Sequence, residues 1–108
     1  MYRVTKRDGS ITEFHIAKIG NAITRAFEAV GRQQHPSVIE LLALRVTAEF
    51  EPKIRNGLIS VEDIQDCVER VLSEAGYSDV AKAYILYRKQ REKLRNVGST
   101  LLNYKELV

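Results

Sequence analysis

Tyr84, Arg88, Arg91 and Arg95 follow one another at steps of four, three and four residues, with Tyr87 beside them. At roughly 100° per residue, such steps draw one stripe along an α-helix. An aromatic ring next to several guanidinium groups suits a purine that carries phosphates. The ring stacks on the base, and the arginines make paired hydrogen bonds to phosphate oxygens. The same stripe also fits a solvated helix face whose tyrosines turn half into a core. A second basic group opens the chain, where Lys6 and Arg7 precede Asp8 and Gly9. Cations before a turn often protect an edge strand, yet on a rigid hairpin they are held in place at little entropic cost. Lys18 adds a charge near the start of a helix, where free backbone N–H groups favour an anion. Three basic segments so placed can close around one polyphosphate. No glycine-rich stretch precedes a Lys-Ser or Lys-Thr pair, so this is no Walker loop.

Catalysis finds little support. His15 and His35 stand outside any nucleophile–base arrangement. Cys67 shares a helical face with Ile64, Val68 and Val71, the position of a buried core thiol. One cysteine and two histidines make a poor metal set and allow no internal disulfide. Glu62, Asp63, Asp66 and Glu69 gather at the start of a helix, where the macrodipole accounts for them.

The elements that carry these residues are legible in the pattern. Residues 3 to 14 predict two short strands about "RDGS", with Asp8 and Gly9 taking the positive φ angles of a tight turn. Ile16, Ile19, Ile23, Ala26, Phe27 and Val30 then recur at helical spacing until Gly31. "QQHPS" is a loop, and Pro36 or Ser37 opens a second helix with Val38, Leu41, Leu42, Arg45, Val46 and Phe50 on its core side. Pro52 ends or bends that helix. The chain turns at Gly57, and Leu58 and Ile59 are placed to add a third strand to the hairpin. Ser60 caps a third helix, with Asp63 in capping-box position and Ile64, Cys67, Val68, Val71 and Leu72 facing inward until Gly76. A fourth helix begins at "YSDV", with Ser78 as its cap, and runs to about Asn96. The fold expected is α+β: a small β-hairpin, two-stranded or three-stranded according to whether Leu58 and Ile59 join it, packed with about four α-helices.

The whole chain has 108 residues, 44% hydrophobic and 29% charged, which suits one soluble domain with a modest core. No apolar run nears the roughly 18 to 20 residues that span a membrane, and nothing at the start reads as a signal peptide. A reducing, cytoplasmic setting is the expectation. The net charge of +3 is mild but uneven: residues 82 to 95 hold six basic side chains against Glu92 alone. Basic clusters toward both ends ask for an anionic partner.

"VTKRDGSITEFHIAKI", followed much later by "DVAKAYILYRKQREKLR", resembles the ATP-cone, the N-terminal regulatory domain of ribonucleotide reductases. The resemblance covers about residues 1 to 95, in order and with the expected spacing, and it implies an ATP-cone-like fold. It implies a domain without chemistry of its own, which binds ATP or dATP, with Mg²⁺, and adjusts a catalytic core through oligomeric assembly or substrate access. Carried over by position, it sets Val4, Lys6 and Arg7 against the nucleotide and lets Lys18 reach phosphate. It places Val61 at the base or sugar, and Tyr87, Arg88 and Arg91 as the aromatic and basic contacts of the last helix. His15 stands where the family often has Asp or Asn, and Thr12 or Glu13 where an acid often follows the turn. The segment "NVGSTLLNYKELV" is similar to the lead-in to the core of anaerobic, glycyl-radical reductases. Residues 96–108 are therefore expected to be a linker towards such a core, and the chain the front of a larger reductase. The partners implied are adenine nucleotides, the reductase core and a second copy in nucleotide-dependent self-association. Competing readings are a basic nucleic-acid-binding module, the cone of a transcriptional repressor, whose zinc ribbon lacks its cysteines here, and a helical interaction module without ligand.

Overall fold

A computed structural model describes residues 2–91. β1 (Arg3–Thr5) and β2 (Ile11–Glu13) form an antiparallel hairpin with Val4 opposite Thr12. α1 (Ile16–Ala29) and α2 (Pro36–Phe50) follow, then a 3₁₀ turn (Glu51–Lys53), β3 (Leu58–Ser60), α3 (Val61–Glu74) and a last helix, α4, over residues 78–91. β3 runs parallel to β1 with Val4 beside Ile59, so the sheet order is β2-β1-β3 and the third strand lies on the far side of β1 from β2. The α+β reading holds, with three strands and four α-helices among the described residues. The expected ends of α4 and of the domain near residue 95, and the segment beyond, lie outside the described residues. Among those described, no helix is long and apolar enough to cross a membrane.

The hairpin turn differs from expectation in one respect. Gly9 alone takes a positive φ, +88°, while Asp8 does not. Asp8 works through its side chain: Oδ1 accepts from the Ser10 N–H at 2.9 Å and from the Ser10 hydroxyl at 2.6 Å. The Gly9 N–H donates to the Lys6 carbonyl and the Lys6 N–H to the Ser10 carbonyl, which closes the loop and fixes the bases of the Lys6 and Arg7 side chains. At the second turn, Asn56 and Gly57 both have positive φ and bring Arg55 against Leu58, starting β3 in register.

α1 buries Ile19, Ile23, Ala26 and Phe27 and ends at Gly31, whose N–H donates to the Glu28 carbonyl while the Arg32 N–H reaches that of Phe27. Ile16, placed on the core face by spacing, is exposed at the first turn because the core begins one turn later. α2 starts at Pro36, with the His35 ring accepting from the Ser37 N–H. Its buried side is Leu42, Ala43, Val46 and Phe50, so Leu41 and Arg45 are corrections: both are exposed. A helix apolar on nearly every side gives spacing no contrast to read, and packing against α1 and α3 makes the choice. α3 buries all five expected residues, and the Ser60 hydroxyl accepts from the Asp63 N–H at 3.1 Å. Gly76, at φ +90°, closes it, and the Tyr77 N–H donates to the Leu72 carbonyl. Ser78 is the first helical residue of α4 rather than its cap, since the Tyr77 carbonyl already accepts from Ala81. The rings of Tyr2, Phe14 and Phe50 meet at 5.0 to 5.8 Å between centroids and pin the hairpin to the end of α2.

Candidate functional site

The hairpin, α1, α3 and α4 enclose a cleft of about 700 Å³, within the usual size of a ligand pocket. Val4, Lys6, Arg7 and Asp8 form its hairpin wall, with Thr12 and Glu13 from β2. Lys18, Asn21, Ala22 and Arg25 come from α1, Val61, Ile64 and Gln65 from α3, and Tyr84, Tyr87, Arg88 and Arg91 from α4. All eight residues singled out from the sequence line this one space: Val4, Lys6, Arg7, Lys18, Val61, Tyr87, Arg88 and Arg91.

The floor is apolar. Val4 and Ile64 are each 7% exposed, and Val61 packs against the same core. Tyr84 is core rather than surface, and its burial pushes the phenol well above the ordinary range. The stripe read from spacing therefore runs from buried Tyr84, through half-buried Arg88, to exposed Arg91; Arg95 lies outside the described residues. The rim is basic. Lys6 and Lys18 form no salt bridge among the described residues, and α1 has no acid in its first turn and no side-chain cap from His15. That helix end keeps its positive character at the cleft.

The arginines divide into two kinds. Arg7 lies 3.6 Å from a Glu62 oxygen and reaches the Gln65 amide oxygen at 3.4 Å. Arg88 donates to Glu69 and, at 3.3 Å, to Asp66, with only 17% of its side chain exposed. Burial alone would lower the Arg88 pKa, but the Glu69 and Asp66 contacts outweigh it and raise it. Two of the cations assigned to phosphate thus already hold carboxylates of α3. Arg25 and Arg91 instead both donate to the Tyr87 hydroxyl, at 3.0 and 3.1 Å, and Arg91 lies 5.8 Å from that ring's centroid. Burial would raise the Tyr87 pKa, and the hydrogen bonds from Arg91 and Arg25 bring it down on balance. Arg25 carried no signal of its own in the sequence, although Lys18, Asn21, Ala22 and Arg25 stand at i, i+3, i+4 and i+7 and share a face of α1. Gln65 carried no signal at all, because its place depends on how α3 lies against the hairpin.

The fold and cleft define a small α+β domain with an apolar floor, a basic rim and no cluster of metal-ligating side chains among the described residues. The chain belongs to the ATP-cone family: residues 2–93 match the ATP cone domain. It is 41% identical over 99 residues to a vitamin B12-dependent ribonucleoside-diphosphate reductase of Mycobacterium tuberculosis, covering 92% of this chain and 14% of that protein. It is 38% identical over 98 residues to the alpha subunit of a ribonucleoside-diphosphate reductase of Chlamydia pneumoniae, covering 85% and 9%. With an anaerobic ribonucleoside-triphosphate reductase of Haemophilus influenzae it shares 37% over 103 residues, covering 93% and 14%. The chain thus spans 9% to 14% of the length of these curated relatives. They include vitamin B12-dependent and anaerobic reductases alike, so similarity of the cone does not single out the anaerobic class expected from the tail.

Proposed function

We propose that this chain is an allosteric sensor that binds ATP or dATP in the cleft and governs the activity of a ribonucleotide reductase core. The observation that carries the reading is the convergence of eight residues, from four separate segments, on one cleft with an apolar floor and a basic rim. An adenine-sized group has Val4, Val61 and Ile64 to lie against, while phosphates have Lys6, Lys18 and the start of α1. Mg²⁺ would come as part of the ligand, held chiefly by phosphate oxygens as is usual for that ion, with Asp8 and Glu13 the carboxylates in the cleft wall.

The domain switches a partner and does not catalyse. A regulator needs a ligand that binds two states unequally, since equal affinity for both shifts nothing. ATP and dATP differ only at the 2′ position, so discrimination falls to the groups beside the ribose, for which Val4 and Val61 are the candidates. Residues 96–108 lead on to the core, and the response is read out as altered self-association or altered access to that core. Calorimetry with ATP and dATP tests the binding, which is expected at micromolar Kd or tighter, about −8 kcal/mol or better. Absence of heat and of thermal shift with both nucleotides overturns it. Sedimentation of the domain joined to its core separates sensor from mere binder: identical assemblies and identical activity with the two nucleotides overturn the switch.

A further inference from the structure

The geometry points to a phosphate subsite in the cleft made by Arg25, Arg91 and the Tyr87 hydroxyl, in which Tyr87 acts through its oxygen rather than as a stacking ring. The inference rests on the nucleotide reading above and adds to it a residue of α1 and a different role for Tyr87.

Hydrogen-bond inventory is the first argument. A phenol oxygen offers two acceptor sites and one donor. Both acceptor sites are taken, by Arg25 Nη1 at 3.0 Å and Arg91 Nη1 at 3.1 Å, and among the described residues the Tyr87 O–H donates to no acceptor. Each guanidinium carries five N–H donors, and each spends one here on a neutral oxygen. Neither Arg25 nor Arg91 meets a carboxylate among the described residues, although Arg7, Arg32, Arg70 and Arg88 all do. The cluster is therefore rich in donors and poor in acceptors. A phosphoryl group, which only accepts, is its chemical complement.

Charge is the second argument. Two guanidinium nitrogens bonded to one oxygen lie no more than about 6 Å apart, a range at which like charges repel. The neighbouring Arg88 is relieved of this by Asp66 and Glu69; among the described residues no carboxylate does the same for the Arg25–Arg91 pair. An anion bridging the two removes the repulsion and ties α1 to α4 across the mouth of the cleft. Lys6 and Lys18 stand on other parts of the same wall, so a polyphosphate chain has cations along its length and this pair at one end.

The test is calorimetry of ATP, adenosine and inorganic pyrophosphate against the whole chain and its Arg25→Gln and Tyr87→Phe variants. Tyr87→Phe keeps the ring and removes only the oxygen. Both variants are expected to weaken ATP about tenfold to a hundredfold, the range for a charge-assisted hydrogen bond, and to leave adenosine unchanged. The double variant should lose less than the product of the single losses, because both break the same cluster. Thermal melts without ligand exclude a structural role: melting temperatures should not fall, since each variant relaxes a crowded pair of cations. ATP binding equal to wild type in both variants overturns the subsite and leaves the nucleotide reading intact. Loss of ATP and of stability in step makes Arg25 a structural tie and overturns it too. If wild type binds pyrophosphate in an Arg25-dependent way but not ATP, the subsite stands and the nucleotide reading falls. Binding of neither ligand overturns both.

Discussion

Arg88→Met measures how much of the cleft's positive charge is committed to holding the domain together. The side chain bridges α4 to α3 through Glu69 and Asp66, and only 17% of it is exposed, against 25% of Glu69 and 60% of Asp66. Removing one partner of a fully buried ion pair costs about 3–5 kcal/mol, whereas an exposed pair contributes about 0–1 kcal/mol. The Arg88–Glu69 contact lies between these limits, so the expected loss is about 1–3 kcal/mol. Methionine keeps most of the packing volume, which leaves the charge as the main change. For a domain of this size each kcal/mol moves the midpoint by roughly 4–8 °C, and thermal unfolding followed by circular dichroism reads such a shift without ambiguity. Asp66→Asn should cost far less, because that carboxylate faces water. Lys89→Ala, exposed on the same helix, should stay within about 0.5 kcal/mol of wild type. The double variant Arg88→Met with Glu69→Leu should recover much of the loss, since no charge is then left buried alone. An Arg88→Met protein that melts within about 1 °C of wild type but no longer binds ATP would refute the reasoning. Arg88 would then be a ligand first and a tie second.

Leu42→Ala should destabilise by about 2–5 kcal/mol, as for any buried leucine, while Leu41→Gln should change stability by less than about 0.5 kcal/mol; urea unfolding of the two variants checks which side of α2 is core. Cys67 is 1% exposed and its burial pushes the thiol pKa upward, so a thiol reagent should label it only at the rate of global unfolding. The thiol's raised pKa favours the folded state fully below its ordinary 9.0 and loses that contribution as pH rises through the folded value. Burial opposes ionisation of Asp79, but the Val80 N–H and the Arg32 guanidinium outweigh it and hold the carboxyl below 3.8. Its contribution is present above pH 3.8 and fades as pH falls below it. Acid titration of Asp79→Asn should accordingly show a shallower loss of stability than wild type in that range.

Much of the fold was legible because its elements are punctuated by residues with one physical use. Gly9, Gly31, Gly57 and Gly76 all take positive φ, and each lies where the hydrophobic period breaks. Ser60 with Asp63 marks the start of α3, and α1 and α3 each have a polar side that leaves their apolar faces distinct. α2 was the exception. With Val38, Ile39, Leu41, Leu42, Ala43, Leu44 and Val46 interrupted only by Glu40 and Arg45, its sequence does not say which side is core. Nor did spacing show that β3 would pair parallel to β1, because direction is set by where the connecting helices pack and not by three residues of strand.

The site divides along the same line. Which residues share a cleft follows from periodicity: Tyr87, Arg88 and Arg91 lie on one face of α4 whatever surrounds it, and Lys6 and Arg7 are fixed by the turn that Gly9 permits. What each cation is bonded to follows from a second helix, laid across the first by burial of Ile64, Val68, Val71 and Leu72. α3 carries Glu62, Asp66 and Glu69 at steps of four and three, so the packing that forms the core also lays a row of acids beside the cleft. That row meets Arg7 at one end and Arg88 at the other and leaves Arg25 and Arg91 to a phenol. In the sequence these acids were a helix-dipole feature, and the dipole argument remains sound for Glu62 and Asp63 in the first turn. It does not reach Glu69, two turns further on, whose place is explained by Arg88. A charge stripe read from one helix is therefore an upper bound on the charge a ligand can meet, and the acids of the helix packed against it decide how much of that charge remains.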